Sequence, residues 1–207
     1  MRKEFWLTLI IIIALAIAGI LYLQQQTQKI SLKVSNDQGP QTNPSPEPIT
    51  PASMQITSPA FLDNQSIPEQ YTCDGQSLSI PLNFSNVPAE AKSLSLVMDD
   101  PDVPTALLPS GLFVHWVVFN MPATTTELAE NQTPPGIQGN NGAGKAAYTA
   151  PCPPDKQHRY FFKLYALDAM LNLPGGATKD QLEQTMEGHI IAQAQLIGLY
   201  NKKINQK

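Results

Sequence analysis

Nineteen consecutive residues from Phe5 to Leu23, FWLTLIIIIALAIAGILYL, carry no charge. As a helix rising about 1.5 Å per residue the run would reach about 28 Å, close to the hydrocarbon thickness of a bilayer. A removable export signal has a shorter apolar core, roughly 7 to 15 residues, ended by a small-residue cleavage site. Here Ala16-Ile17-Ala18 lies inside the run and bulky Ile20, Leu21, Tyr22 and Leu23 follow it. Residues 1–23 are therefore expected to be an uncleaved transmembrane anchor. Arg2 and Lys3 on one side are matched by Lys29 and Lys33 on the other, so orientation rests on the tendency of a basic N-terminal tip to stay in the cytoplasm. The expected location is the cell membrane, single-pass, with the following domain on the extracytoplasmic face.

Residues 24–53, QQQTQKISLKVSNDQGPQTNPSPEPITPAS, hold few large apolar groups and contain Pro40, Pro44, Pro46, Pro48 and Pro51. Such a stretch cannot bury a core, and its prolines favour extended polyproline II, so it reads as a semi-rigid linker. Residues 54–207 are then one domain of ordinary size, long enough to bury roughly 70% of the surface of its unfolded chain.

Charge and cysteine usage restrict what this domain can be. Residues 1–53 hold Arg2, Lys3, Lys29 and Lys33 against Glu4, Asp37 and Glu47, leaving nine basic and fourteen acidic residues beyond. With no basic block to neutralise phosphates along a polymer, nucleic acid is excluded as a partner. Two cysteines and three histidines are too few for a zinc ribbon, an iron–sulfur ferredoxin or a cysteine-stapled miniprotein. No metal and no cofactor are expected.

Three runs read as strands: SLSLVM over 93–98, GLFVHWVVFNM over 111–121 and YFFKLYALD over 160–168. The first two are almost continuously apolar, as strands covered on both faces are. A capping box, Thr178-Lys-Asp-Gln181, opens a helix that should fade near Gly188. Residues 190–200 fit either more helix or a final strand. Strands and helices do not alternate, so a β-sandwich is favoured over a doubly wound α/β sheet.

Polar constellations interrupt these apolar runs. Asp99-Asp100-Pro101-Asp102-Val103-Pro104 follows the first strand, and its prolines hold the carboxylates in a stiff turn. His115 sits inside the second strand, and a proline-stiffened loop containing Cys152 feeds His158 and Tyr160 into the third. Taken alone, each has an ordinary reading: an acidic turn, a satisfied core histidine, a loop. Gly139-Asn-Asn-Gly-Ala-Gly-Lys145 has the spacing of a phosphate-binding P-loop, but Ala146 replaces the required hydroxyl residue and Pro134-Pro135 precede it. Its glycines instead allow a loop to lie close over the domain.

Together these segments resemble the phosphatidylethanolamine-binding protein family, also called Raf kinase inhibitor-like proteins, in its bacterial and archaeal branch. The resemblance is carried by YTCDGQSLSIPLNFSNVP (71–88), DDPDVP (99–104), FVHWVVFNMP (113–122), GIQGNNGAGKAAY (136–148), PCPPDKQHRYFFKLYALD (151–168) and LPGGATKDQLEQTMEGHIIAQAQLIGLY (173–200), in family order. It implies a mainly β, Greek-key sandwich with one or two peripheral helices and a small surface pocket for phosphate-like anions. By motif, Asp100, Asp102, His115, His158 and Tyr160 are ligand-binding residues, and Cys152 lies where a backbone amide faces the ligand. Ala150 and Lys156 replace usual glycines and Ile80 a common proline, which bears on the ligand more than on the fold. Arg159 should point away from the pocket and pair with an acidic turn residue, and His189 belongs to no cluster.

The function so implied is a membrane-tethered, non-enzymatic module that binds a small anionic or phosphorylated ligand such as a phospholipid head group. Inhibition of a target protease or kinase is the alternative, and a cysteine–histidine hydrolase a further one. With two cysteines and an oxidising compartment, Cys73 and Cys152 are expected to lie close together and form a disulfide, which would remove the thiol a hydrolase needs.

Overall fold

The computed structural model describes residues 17–25 and 53–203. The chain divides into two compact units, residues 1–50 and 51–207. Within the first, the described residues 17–25 are helical, labelled α1; these nine residues rise about 14 Å, where a span needs about 30 Å. No helix among the described residues is long and apolar enough to cross a membrane. This corrects the expectation of an N-terminal transmembrane helix and the single-pass, extracytoplasmic location derived from it. Residues 5–16 of the run, and all but residue 53 and α1's last two residues of the linker reading, lie outside the described residues.

The second unit is built from β1 (Gln55–Thr57), β2 (Gln65–Ser66), β3 (Leu82–Ser85), β4 (Ser93–Asp100), β5 (Phe113–Pro122), β6 (Glu127–Leu128), β7 (Ile137–Gly139), β8 (His158–Leu167), helix α2 (Lys179–Met186) and β9 (Ile190–Tyr200). A three-stranded sheet runs β1-β3-β6 and a six-stranded sheet β2-β9-β8-β4-β5-β7. Within the larger sheet all pairings are antiparallel except β2 with β9.

Side chains that alternate along each strand sort into two apolar layers. Ile56, Leu82, Phe84 and Leu128 from the small sheet meet Leu94, Leu96, Met98, Trp116, Val118, Phe162 and Leu164 from the large one, which makes the sandwich core. On the opposite face of the large sheet, Val97, Val117, Phe119 and Leu167 pack with Leu182 and Met186 of α2. All eight residues of β4 are buried, because one face meets the small sheet and the other meets α2 and its flanking loop. That double cover is the reason 93–98 and 111–121 are so continuously apolar.

Helix α2 begins where the capping box placed it. The Thr178 hydroxyl accepts from the Gln181 N–H, and Gln181 Oε1 accepts in turn from the Thr178 N–H at 2.9 Å. The chain leaves the helix through Gly188, whose φ of 80° is a left-handed conformation open to glycine. The ambiguous stretch that follows is strand β9, paired with β8 along its whole length.

The glycine-rich segment is no phosphate loop, since no helix follows Lys145. Its glycines serve close approach: a Cβ on Gly142 would lie 2.8 Å from the Phe113 ring. Asn141, nearly buried, holds the loop from within. Its Oδ1 accepts from the N–H groups of Ala143 and Lys145, and its Nδ2 donates to the Ala147 carbonyl and the Thr149 hydroxyl at 2.8 and 2.7 Å.

Candidate ligand-binding site

The end of β4, the start of β5 and the loop before β8 enclose a cavity of about 230 Å³, lined by Asp100, Val103, Phe113, His115, Thr149, Ala150, Cys152 and Pro154. Each element delivers its polar group for a local reason. Asp100 is the last residue of β4, and its Oδ1 accepts from the Asp102 N–H at 2.9 Å, closing the proline-stiffened turn. Asp102 itself faces the other way. Its carboxylate takes both Nε and Nη2 of Arg159, at 2.9 and 2.7 Å, plus the Arg159 N–H, and the guanidinium holds its pKa down at about 2.

His115 owes its direction to a bulge. Met98 pairs with Trp116 but Asp99 pairs with Val114, so His115 is the extra residue in β5. The bulge turns the imidazole inward beside Tyr160, ring centroids 5.2 Å apart, with Phe113 edge-on at 4.9 Å. Two hydrogen bonds clamp it to the loop: Thr149 N–H donates to the His115 carbonyl at 2.9 Å, and His115 Nδ1 lies 2.7 Å from the Thr149 carbonyl. A carbonyl only accepts, so the proton sits on Nδ1. Burial lowers the His115 pKa to about 4, so at neutral pH the ring is uncharged and Nε2 is an acceptor.

His158, at the start of β8, lies fully buried behind the cavity wall. Its Nδ1 is 2.7 Å from Asp100 Oδ2 and its Nε2 2.9 Å from Asp155 Oδ1. Burial pulls this imidazole down, but the hydrogen bonds to Asp100 and Asp155 together outweigh it and its pKa is raised. An imidazolium is the state in which both nitrogens donate to ionised carboxylates. Tyr160 is buried too, its hydroxyl lacking a hydrogen-bond partner among the described residues; burial, then Asp100, pushes its pKa up.

Cys73 and Cys152 are joined by a disulfide, with Cα atoms 5.3 Å apart, and the Cys73 N–H donates to the Pro151 carbonyl at 3.0 Å. The loop carrying the cavity's rim is thus tied to the segment after the 3₁₀ turn Glu69–Tyr71. Among the described residues the N–H groups of Ala150 and Cys152 make no backbone hydrogen bond.

A model of the family described as phosphatidylethanolamine-binding protein matches residues 57–201. The chain belongs to the phosphatidylethanolamine-binding protein family. Relatives of this chain include a UPF0098 protein of Chlamydia pneumoniae, 51% identical over 149 residues that cover 72% of this chain and 99% of the relative. Another, from Methanothermobacter thermautotrophicus, is 48% identical over 72% of this chain and 99% of its own. Among solved structures, the Chlamydia trachomatis homolog CT736 superposes with a TM-score of 0.72 at 49% identity, covering 73% of this chain and 99% of that one. Escherichia coli YbcL superposes with a TM-score of 0.66 at 30% identity, covering 73% and 100%.

Of the residues singled out in the sequence, Asp100, His115 and Cys152 line the cavity of this family member, whereas Asp102, His158 and Tyr160 do not. His189 sits elsewhere, with Nδ1 2.8 Å from Asp168 Oδ1 in an exposed pair. Asp155, Thr149 and Phe113 escaped the sequence reading. Asp155 alone left a signal there, three residues before His158 on a loop stiffened by Pro153 and Pro154.

Proposed function

We propose that the cavity receives the anionic end of a small phosphorylated or carboxylated molecule and binds it without turnover. The observation that carries this reading is one small cavity lined by His115 together with Ala150 and Cys152, whose N–H groups make no backbone hydrogen bond among the described residues. Backbone amides and a protonatable ring are the donors an oxyanion needs. The family's name points the same way, toward a phospholipid head group. Ligand pockets for drug-sized molecules start at about 300 Å³, so about 230 Å³ suits a head group and excludes acyl chains.

Because His115 carries its only proton on Nδ1, an oxyanion at Nε2 brings a second proton into the site. Binding should therefore tighten as pH falls from 8 toward 6, until protonation of the phosphate lowers its own charge. The thiol on which hydrolase chemistry would depend is locked in the Cys73–Cys152 disulfide.

Calorimetry with inorganic phosphate and glycerophosphoethanolamine tests the reading. Wild-type protein should bind with proton uptake, and His115→Ala should weaken binding by about 1.5 to 3 kcal/mol, the range for hydrogen bonds to charged groups. Equal binding by both proteins would remove the cavity from consideration, and sustained ester hydrolysis would remove the binding-only reading.

A further inference from the structure

Strand β9 is paired with β8 throughout, but on its other side β2 borders it at one end only, opposite Gly198 and Leu199. There the carbonyls of Ile197 and Leu199 accept from the N–H groups of Asn64 and Ile67, at 2.8 Å each, and the Ile197 N–H donates to Asp63 Oδ1. Backbone groups alternate in direction along an antiparallel strand, so those of Gln193 and Gln195 face the same open side. Among the described residues no backbone group meets them there. Sheet edges are ordinarily blunted by charge, by proline or by a covering element. Residues 190–201 contain no charge and no proline, and Ile190, Ile191, Gln193 and Gln195 are all exposed.

Gln193 stands between two cavities of opposite chemistry. On the face of the sheet that carries α2, Lys163, Tyr165, Gln193 and Gln195 line one of about 490 Å³. Lys163 is neutralised there by the buried Asp99, 2.7 Å away, so this side offers hydrogen-bonding groups without net charge. On the sandwich face, Met54, Val87, Pro88, Ala89 and Ala192 form most of the lining of a cavity of about 650 Å³, which Gln193 also borders. Neither cavity shares a lining residue with the anion cavity.

We propose that the 193–195 edge of β9 accepts an extended peptide as a further strand, with an uncharged polar side chain in the Lys163–Tyr165 cavity and a large apolar one in the Val87–Ala89 cavity. Main-chain pairing with Gln193 and Gln195 supplies affinity, and the cavities supply selection. Side chains alternate between the two faces of a strand, so a polar cavity and an apolar one on opposite sides of one edge read a polar–apolar alternation. A second copy of β9, paired about a two-fold axis, would bring only Ala192 and Ala194 to the apolar side beside this stretch, and alanines are too small to fill about 650 Å³. The occupant is therefore a peptide with larger apolar side chains.

The probe is a synthetic peptide, Ser-Leu-Gln-Leu-Gln-Leu-Ser with both ends capped, titrated into isotope-labelled full-length protein and followed by NMR. The Gln193 and Gln195 amides should shift and gain protection from exchange as the peptide saturates. Of two versions N-methylated on alternate residues, one should lose binding and the other keep it, because a strand turns only every second N–H toward a given neighbour. Gln193→Pro removes one outward N–H at an edge, where proline is tolerated, and should weaken binding about fivefold. Ala89→Glu, at an exposed position outside the strands, should also weaken it and serves if the proline variant does not fold. The proposal is overturned if the peptide does not bind, if the shifts fall away from β9, if the two methylated peptides bind alike, or if neither variant weakens binding. Concentration-dependent protection of the same amides without peptide would assign the edge to a second copy and overturn it as well.

Discussion

His158 Nδ1 lies 2.7 Å from Asp100 Oδ2, with both side chains essentially removed from solvent. The two residues are 58 positions apart in the chain, and their contact joins the end of β4 to the start of the neighbouring β8. Breaking a buried charge pair costs more than the pair is worth, because the survivor keeps its desolvation without its partner. Asp155 still holds the other nitrogen, so Asp100→Ala should cost about 3 kcal/mol, the lower end for such a deletion. Urea denaturation of the two proteins measures it. Asp100→Asn, whose carbonyl can still accept, should cost less.

The two cavity-side histidines should oppose each other in the pH dependence of stability. His115 has its pKa lowered to about 4, so its share of stability is complete above the unfolded value near 6.5 and is lost as pH falls from there toward 4. His158 has a raised pKa, so its share is complete below about 6.5 and is lost as pH rises through the folded value. His115→Gln should accordingly flatten the fall in stability between pH 6.5 and 4, and His158→Gln should flatten any fall above pH 6.5. Denaturation midpoints across pH 4 to 9 give both slopes.

The Cys73–Cys152 bridge spans 79 positions. On the loop-entropy account a closed loop of that size stabilises by about 4.5 kcal/mol. The expected outcome for Cys73→Ala/Cys152→Ala is a loss of that order in urea, with the loop before β8 less protected from amide exchange than the strands. Thiol titration of the unfolded, unreduced wild-type protein should find no free thiol.

Asn141 makes four hydrogen bonds from a nearly buried side chain and sets the loop that ends on Thr149. Asn141→Ala should lower stability by about 2 to 6 kcal/mol, taking each of the four bonds at about 0.5 to 1.5 kcal/mol net. It should also loosen the Thr149 carbonyl from His115 Nδ1, which the imidazole nitrogen shifts in an NMR spectrum would report as a change of tautomer population.

Features that depend on near neighbours along the chain are legible in the order of the amino acids. The apolar runs at 93–98, 111–121 and 160–168 specify strands, Thr178 and Gln181 specify a helix start, and the stiffened Asp-Pro-Asp turn and the His158–Tyr160 stretch mark the family. Those signals are propensity, periodicity and capping, which act over a few residues. The rest depends on which segments the fold brings together. His115 points inward because β5 is one residue out of step with β4, and register belongs to a pair of strands rather than to either. Asp102 leaves the cavity because Arg159 is across from it, and Asp155 meets His158 because the loop before β8 folds back onto it. The proton on His115 Nδ1 follows from one carbonyl, that of Thr149, 34 positions away.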